Sequence, residues 1–130
     1  MHAESTPQHD WLMRLVGSWD FEHEYDLGGE KGRSTGSEVI RRFGSHWIIG
    51  EMTGVVSDGT SMDSVLTLGF DPRRGRFVGT WIGSPFAHLW VYEGVLEVSS
   101  DTLTLDTRGP AFEDPAMLID YQDIVTLEDG

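Results

Sequence analysis

Two histidines of this chain alternate with aromatic residues, a pattern that places them on the apolar faces of strands. They are His23 and His88. An imidazole near neutral pH can bind a ligand, act as a general base or hold a metal ion, although most buried histidines simply bond to a carbonyl or an acid. A buried carboxylate is costly without a partner, so Asp123 and Glu51 are the acids that could pair with such a histidine. The catalytic candidates are therefore His88, Asp123 and Glu51.

Five tryptophans in 130 residues suggest a ligand pocket, because indole joins a large apolar area to one hydrogen-bond donor. Trp81 and Trp90 fall on consecutive predicted strands, joined by a loop at residues 84–86 that would form the mouth of a barrel. Trp19 and Trp47 have a plainer reading as fillers of the barrel base. The candidate ligand-binding residues are His23, Trp47, Trp81, His88, Trp90, Tyr92 and Tyr121.

The sequence lacks the motifs that mark several kinds of functional site. Cysteine is absent, which excludes thiol catalysis and cysteine-ligated metals. No two ligand residues show the close spacing of a zinc signature, and no phosphate loop, dinucleotide fingerprint or nucleophile elbow occurs. We therefore expect neither a metal site nor a cofactor. The acidic residues that alternate from Asp20 to Asp26 are interpreted as a solvated outer face.

The composition limits the partners of the chain. It has 22 acidic and 9 basic residues, a net charge of −13, which disfavours nucleic acid and anionic membranes. No run of 18 apolar residues occurs, and the first ten residues do not resemble a signal peptide. We expect a cytoplasmic protein without membrane contact, folded as a single domain over residues 1–130.

The elements that must position these residues are predominantly strands. One short helix is predicted at about residues 9–16, with Asp10 as its N-cap. Glycine-rich turns then separate runs of alternating apolar residues, which is typical of an antiparallel all-β chain. In the second strand, alternation groups Val39, Arg41 and Phe43, which makes Arg41 a possible partner for a buried acid. The predicted strands cover about residues 17–27, 35–43, 46–56, 62–70, 76–83, 87–98, 102–107 and 117–127.

Eight consecutive strands with short connections predict an up-and-down sheet that curls into a barrel. Such a barrel is either filled by side chains or wide enough for one small ligand. The chain ends at Asp129-Gly130, a hairpin signal that predicts a further C-terminal strand not present in this sequence. An edge left open in this way would be covered by a second copy, giving a homodimer.

Three segments of this chain resemble a bacterial family, the domain of unknown function family 1579. They are LTLGFDP at residues 66–72, FVGTWIGS at 77–84 and LWVYEG at 89–94. The resemblance extends over about residues 9–127. Gly17-Ser18-Trp19 is similar to the opening of the calycin superfamily, which includes the lipocalins and fatty-acid-binding proteins. The resemblance implies a calycin-like antiparallel barrel and no particular activity.

Three functions fit these observations. The favoured one is a binding protein that holds one small apolar or aromatic ligand inside the barrel. The second is an isomerase or hydrolase that uses His88 with Asp123 or Glu51 as a general acid–base pair. The third is a structural domain that dimerises through an edge strand.

Overall fold

The computed structural model describes residues 4–27, 30–55, 59–110 and 116–126, and for residues 21–34 only the backbone of the strands that they form. The described residues form one short helix, α1 (Pro7–Met13), and eight strands. The strands are β1 (Gly17–Leu27), β2 (Glu30–Phe43), β3 (Trp47–Val55), β4 (Ser61–Asp71), β5 (Arg76–Gly83), β6 (Trp90–Glu97), β7 (Thr102–Pro110) and β8 (Leu118–Thr126).

The strands form one antiparallel sheet in chain order from β1 to β8. The predicted all-β, up-and-down architecture with a short N-terminal helix is therefore confirmed. Within the described residues the sheet is not closed, because β1 and β8 are not hydrogen-bonded to each other. No helix in this part of the chain has the length and apolar character needed to cross a membrane.

Helix α1 begins earlier than predicted because Thr6, and not Asp10, is its N-cap. The Thr6 hydroxyl accepts a hydrogen bond from the backbone N–H of His9, and the Thr6 N–H donates to Nδ1 of His9 at 2.9 Å. This is a capping box in which histidine replaces the usual acidic or amide side chain. Pro7 suits the first helical position, where no backbone donor is needed. The cap therefore fixes the start of α1 at Pro7.

Two strand boundaries differ from the prediction in ways that affect the site. The sixth strand begins at Trp90 rather than Ala87, because its pairing with β5 starts at the register pair Trp81 and Trp90. The seventh strand continues through Gly109 to Pro110, because β8 pairs with it along this length. Pro110 lies beyond the part of β7 that pairs with β6, at a locally unpaired edge where a residue without a backbone N–H is tolerated.

The sheet has two unlike faces. The inner face carries the buried side chains and is covered at one end by α1, whose Trp11 and Leu12 join the core. The Trp11 and Phe77 rings meet edge-on, with centroids 6.1 Å apart. The buried core residues are Trp11, Leu12, Leu15, Ile40, Ile48, Leu68, Phe77, Tyr92, Leu103 and Leu105. The outer face is exposed, although it also carries large apolar side chains such as Val39 and Phe43.

Candidate functional site

Two tryptophans lie side by side on neighbouring strands of the inner face, beyond the part that α1 covers. Trp81 in β5 and Trp90 in β6 are register partners. The Trp90 ring also meets Tyr121 edge-on, with centroids 5.2 Å apart. A Cβ on Gly109 would lie 2.0 Å from the Trp90 ring, so this indole needs glycine beneath it. We call Glu38, Trp81, Trp90, Thr107 and Tyr121 the tryptophan end of the inner face.

His88 lies in the loop between β5 and β6 and not on a strand as predicted. Its Nε2 is 3.0 Å from the carbonyl oxygen of Arg108. A carbonyl only accepts, so Nε2 carries the proton and donates it. The imidazole stands edge-on to Trp90, with centroids 4.8 Å apart. His88 therefore ties the loop to β7 and supports one side of Trp90.

Asp123 is bonded to Tyr92 and not to a histidine. The Tyr92 hydroxyl donates to Oδ2 of Asp123 at 2.5 Å, across the inner face from β6 to β8. Burial raises the pKa of Tyr92 above its ordinary value, and the charge of Asp123 and this hydrogen bond raise it further. Tyr92 therefore remains a protonated donor. The predicted pairing of His88 with Asp123 is not formed in this structure.

The prediction placed Trp47 and Glu51 on an inward face, and this placement is wrong. Both lie on the outer face, where Trp47 is 42% exposed and packs over Gly69 of β4. The inner face of β3 carries Ile48 instead, which is fully buried. The predicted pairing of His88 with Glu51 would therefore have to cross the sheet.

Arg41 is also on the outer face. The prediction had given it an inward position, where it could pair with a buried acid. Its Nε is 3.8 Å from Oε1 of Glu51, and both side chains are more than half exposed. A solvated ion pair of this kind contributes little to stability. Arg41 thus neutralises an outer-face acid and leaves the inner face unchanged.

Among the described residues, three buried polar atoms at the tryptophan end have no hydrogen-bond partner. They are Oε2 of Glu38, Nε1 of Trp90 and Oγ1 of Thr107. A fourth such atom, Nε2 of His46, lies beside His9 near the start of α1. Native proteins leave few buried polar groups unpaired, and the exceptions commonly mark a site for water, an ion or a ligand. The tryptophan end therefore offers one carboxylate acceptor, one N–H donor and one hydroxyl.

Glu38 is the inner-face residue that the sequence prediction missed. It pairs with Trp19 on β1 and with Met52 on β3, and its Oε2 would lie 2.7 Å from a Cβ on Gly50. Burial raises the pKa of this carboxyl above its ordinary value. The strand gave no clear signal, because its outward residues are as apolar as its inward ones.

A cleft lies between β4 and the loop that joins β5 to β6. It has a volume of about 490 Å³, and its walls include Ser64, Phe86 and His88. Two hydrogen bonds join the loop to β4, from the Ser84 N–H to the Asp63 carbonyl and from the Asp63 N–H to the Ser84 hydroxyl. The loop is thus held beside the inner face by backbone contacts.

His23 belongs to the segment whose side chains lie outside the described part of the structure. Within the described residues, no three histidine, aspartate or glutamate side chains are grouped closely enough to hold a metal ion. Of the predicted ligand-binding residues, the structure brings together Trp81, His88, Trp90, Tyr92 and Tyr121 and separates Trp47 from them.

One comparison with known proteins gives a match. The model of a protein family described as "Protein of unknown function (DUF1579)" matches residues 4–130. No curated protein and no solved structure matches the chain.

Proposed function

The chain belongs to the DUF1579 family, whose function is unknown, and we propose that it is a calycin-like binding protein that holds one small apolar or aromatic molecule at the tryptophan end. The observation that carries this proposal is the set of three buried polar atoms without partners, on Glu38, Trp90 and Thr107. The register row of Glu38 continues through Met52 and Ser64 to Gly83, which is two residues from Trp81 in β5. Thr107 pairs with Tyr121, whose ring contacts Trp90.

The three unpaired polar atoms carry a cost in free energy. Leaving one buried polar group unpaired costs about 1–3 kcal/mol. A molecule with matching donors and acceptors would remove this cost on binding and would cover the apolar surface of the two indoles. A few oriented polar groups in an aromatic wall are the usual composition of a small-molecule site.

The enzymatic alternative has less support. His88 bonds to a backbone carbonyl and Asp123 bonds to Tyr92, so neither predicted acid–base pair is assembled. The dimer alternative remains a prediction from the sequence.

The proposal is tested by equilibrium dialysis with three aromatic probes of similar size: naphthylethanol, naphthylethylamine and naphthylacetate. We expect saturable binding of at least one probe at one molecule per chain. Trp90→Ala should weaken this binding roughly tenfold, because it removes one wall of the site. The matched control is Trp47→Ala, which removes an outer-face tryptophan and should leave the affinity unchanged.

Thermal unfolding of each variant separates loss of the site from loss of the fold. If Trp90→Ala unfolds, Trp90→Phe keeps a ring above Gly109 while removing the indole N–H. The proposal is overturned if no probe binds, if both Trp90 variants bind as tightly as the wild type, or if Trp47→Ala weakens binding equally.

A further inference from the structure

Among the residues that the structure describes, the carboxyl of Glu38 has no cationic partner. Its Oε2 is buried and has no hydrogen-bond partner, and none of the ion pairs of the described residues includes it. The arginines of those ion pairs bond to other acids, Arg14 to Asp101 and Arg74 to Glu93. A donor from a bound molecule would remove the cost of burying this carboxyl without a partner.

Arg42 is the described basic residue that shares the face of Glu38 by strand alternation. It is four residues further along β2, about 13 Å away at the usual rise of a strand, and its side chain is exposed. It therefore does not provide the missing partner. Asp123 is a second acid of the inner face, and it already accepts from Tyr92.

The Glu38 carboxyl lies at one end of a row of register partners that begins at Gly50 and ends at the two tryptophans. The carboxyl lies over Gly50, Gly50 pairs with Leu66, Leu66 pairs with Trp81, and Trp81 pairs with Trp90. Gly50 and Trp81 are two strands apart, about 10 Å. Over this distance the inner face presents Gly50, which has no side chain, and Leu66, which is apolar and only partly buried. A two-ring aromatic molecule has this length.

We propose that the ligand of the tryptophan end is an organic cation, an amine whose ammonium group bonds to Glu38 while its apolar body lies over Leu66 against Trp81 and Trp90. This inference rests on the proposed function and specifies that the ligand is positively charged. Ammonium groups bind both to carboxylates and to the faces of indole rings. The net charge of −13 also raises the local concentration of cations over that of anions.

The same three probes test the inference, because they share a ring system and differ in charge. At neutral pH naphthylethylamine is a cation, naphthylethanol is neutral and naphthylacetate is an anion. We expect the amine to bind roughly tenfold more tightly than the alcohol, because a charged donor strengthens the bond to the carboxylate. The acetate should bind most weakly of the three.

Glu38→Gln keeps the shape of the side chain and removes its charge, so it should abolish the preference for the amine over the alcohol. Glu51→Gln removes a carboxylate from the outer face of the next strand and should retain the preference. The outcomes separate the two proposals. Equal binding of amine and alcohol, tighter binding of the acetate, or a preference that survives Glu38→Gln overturns the cationic ligand while leaving a binding site. Failure of all three probes to bind overturns both.

Discussion

The inner face has two ends that contain similar residue types. They differ in packing and in whether their buried polar groups have hydrogen-bond partners. At the helix end, formed by Trp11, Leu12, Phe77 and Leu103, apolar side chains are closely packed, and Leu12 and Leu103 have no exposed surface. The indole N–H of Trp11 donates to Asp101 at 3.2 Å. At the tryptophan end, the indole N–H of Trp90 is equally buried and has no partner.

The difference shows which end serves the fold. Arg14 donates two further hydrogen bonds to Asp101, and these bonds, together with that from Trp11, hold the pKa of the Asp101 carboxyl below its ordinary value. His9 likewise uses both ring nitrogens, with Nδ1 on Thr6 and Nε2 on the Phe70 carbonyl. The residues of α1 are thus attached through bonded polar groups, with one unpaired atom, Nε2 of His46, beside them. The tryptophan end retains three unpaired atoms among the described residues. We therefore expect the first end to contribute more to stability, and the proposed binding site lies at the second.

The largest expected effect is at the helix end. Phe77→Ala should lower the free energy of unfolding by about 3–5 kcal/mol, because it leaves a cavity among fully packed neighbours. Trp81→Ala, at the tryptophan end, should cost less although it removes more atoms, since that side chain is only partly buried. Urea denaturation of both variants measures the difference. Equal losses would show that the two ends are equally packed.

A smaller effect distinguishes a hydroxyl without a partner from one that is bonded. Thr107→Val should leave the free energy of unfolding unchanged or raise it by up to about 1 kcal/mol, because it removes an unpaired buried hydroxyl. Thr67→Val is the matched control on the outer face. Its hydroxyl is 2.7 Å from that of Thr80 and accepts from the Thr80 N–H, so we expect a loss of about 1 kcal/mol.

Urea denaturation is again the measurement, combined with dialysis of the naphthyl probes. Thr107→Val should weaken probe binding while it preserves or improves stability. A clear loss of stability in this variant would mean that the Thr107 hydroxyl has a structural partner after all.

The smallest expected effect is a dependence on pH. Burial raises the pKa of Glu38 above 4.5, so between the unfolded and folded pKa values the folded chain binds more protons than the unfolded chain. The stability that this group contributes therefore falls as pH rises through that window. Glu38→Gln cannot ionise, so its stability relative to the wild type should increase from acidic to neutral pH.

Denaturation curves of Glu38→Gln and the wild type, recorded over this range, measure the trend. Parallel curves for the two proteins would contradict the burial of Glu38.

The candidate site was predictable from the sequence in part. Alternation placed Trp90, Tyr92 and Tyr121 on inward faces, because in these strands the aromatic residues share one parity and the other parity carries polar residues such as Glu93 and Gln122. It failed in β2 and β3, where both parities are apolar. There the sequence grouped Val39 with Arg41 and took Trp47 as inward, and the opposite parity of both strands is the buried one.

The sequence by itself determined the class of fold. Period-two alternation and regularly spaced turns specify an antiparallel meander whatever the strands later pack against. The tertiary structure decided which face of β2 and β3 is inside, because register with β1 and β4 and coverage by α1 set the same parity across all neighbouring strands. It thereby placed Glu38 inside and Glu51 outside. Which acid lies on the inner face depends on contacts between distant segments, and no local pattern encodes it.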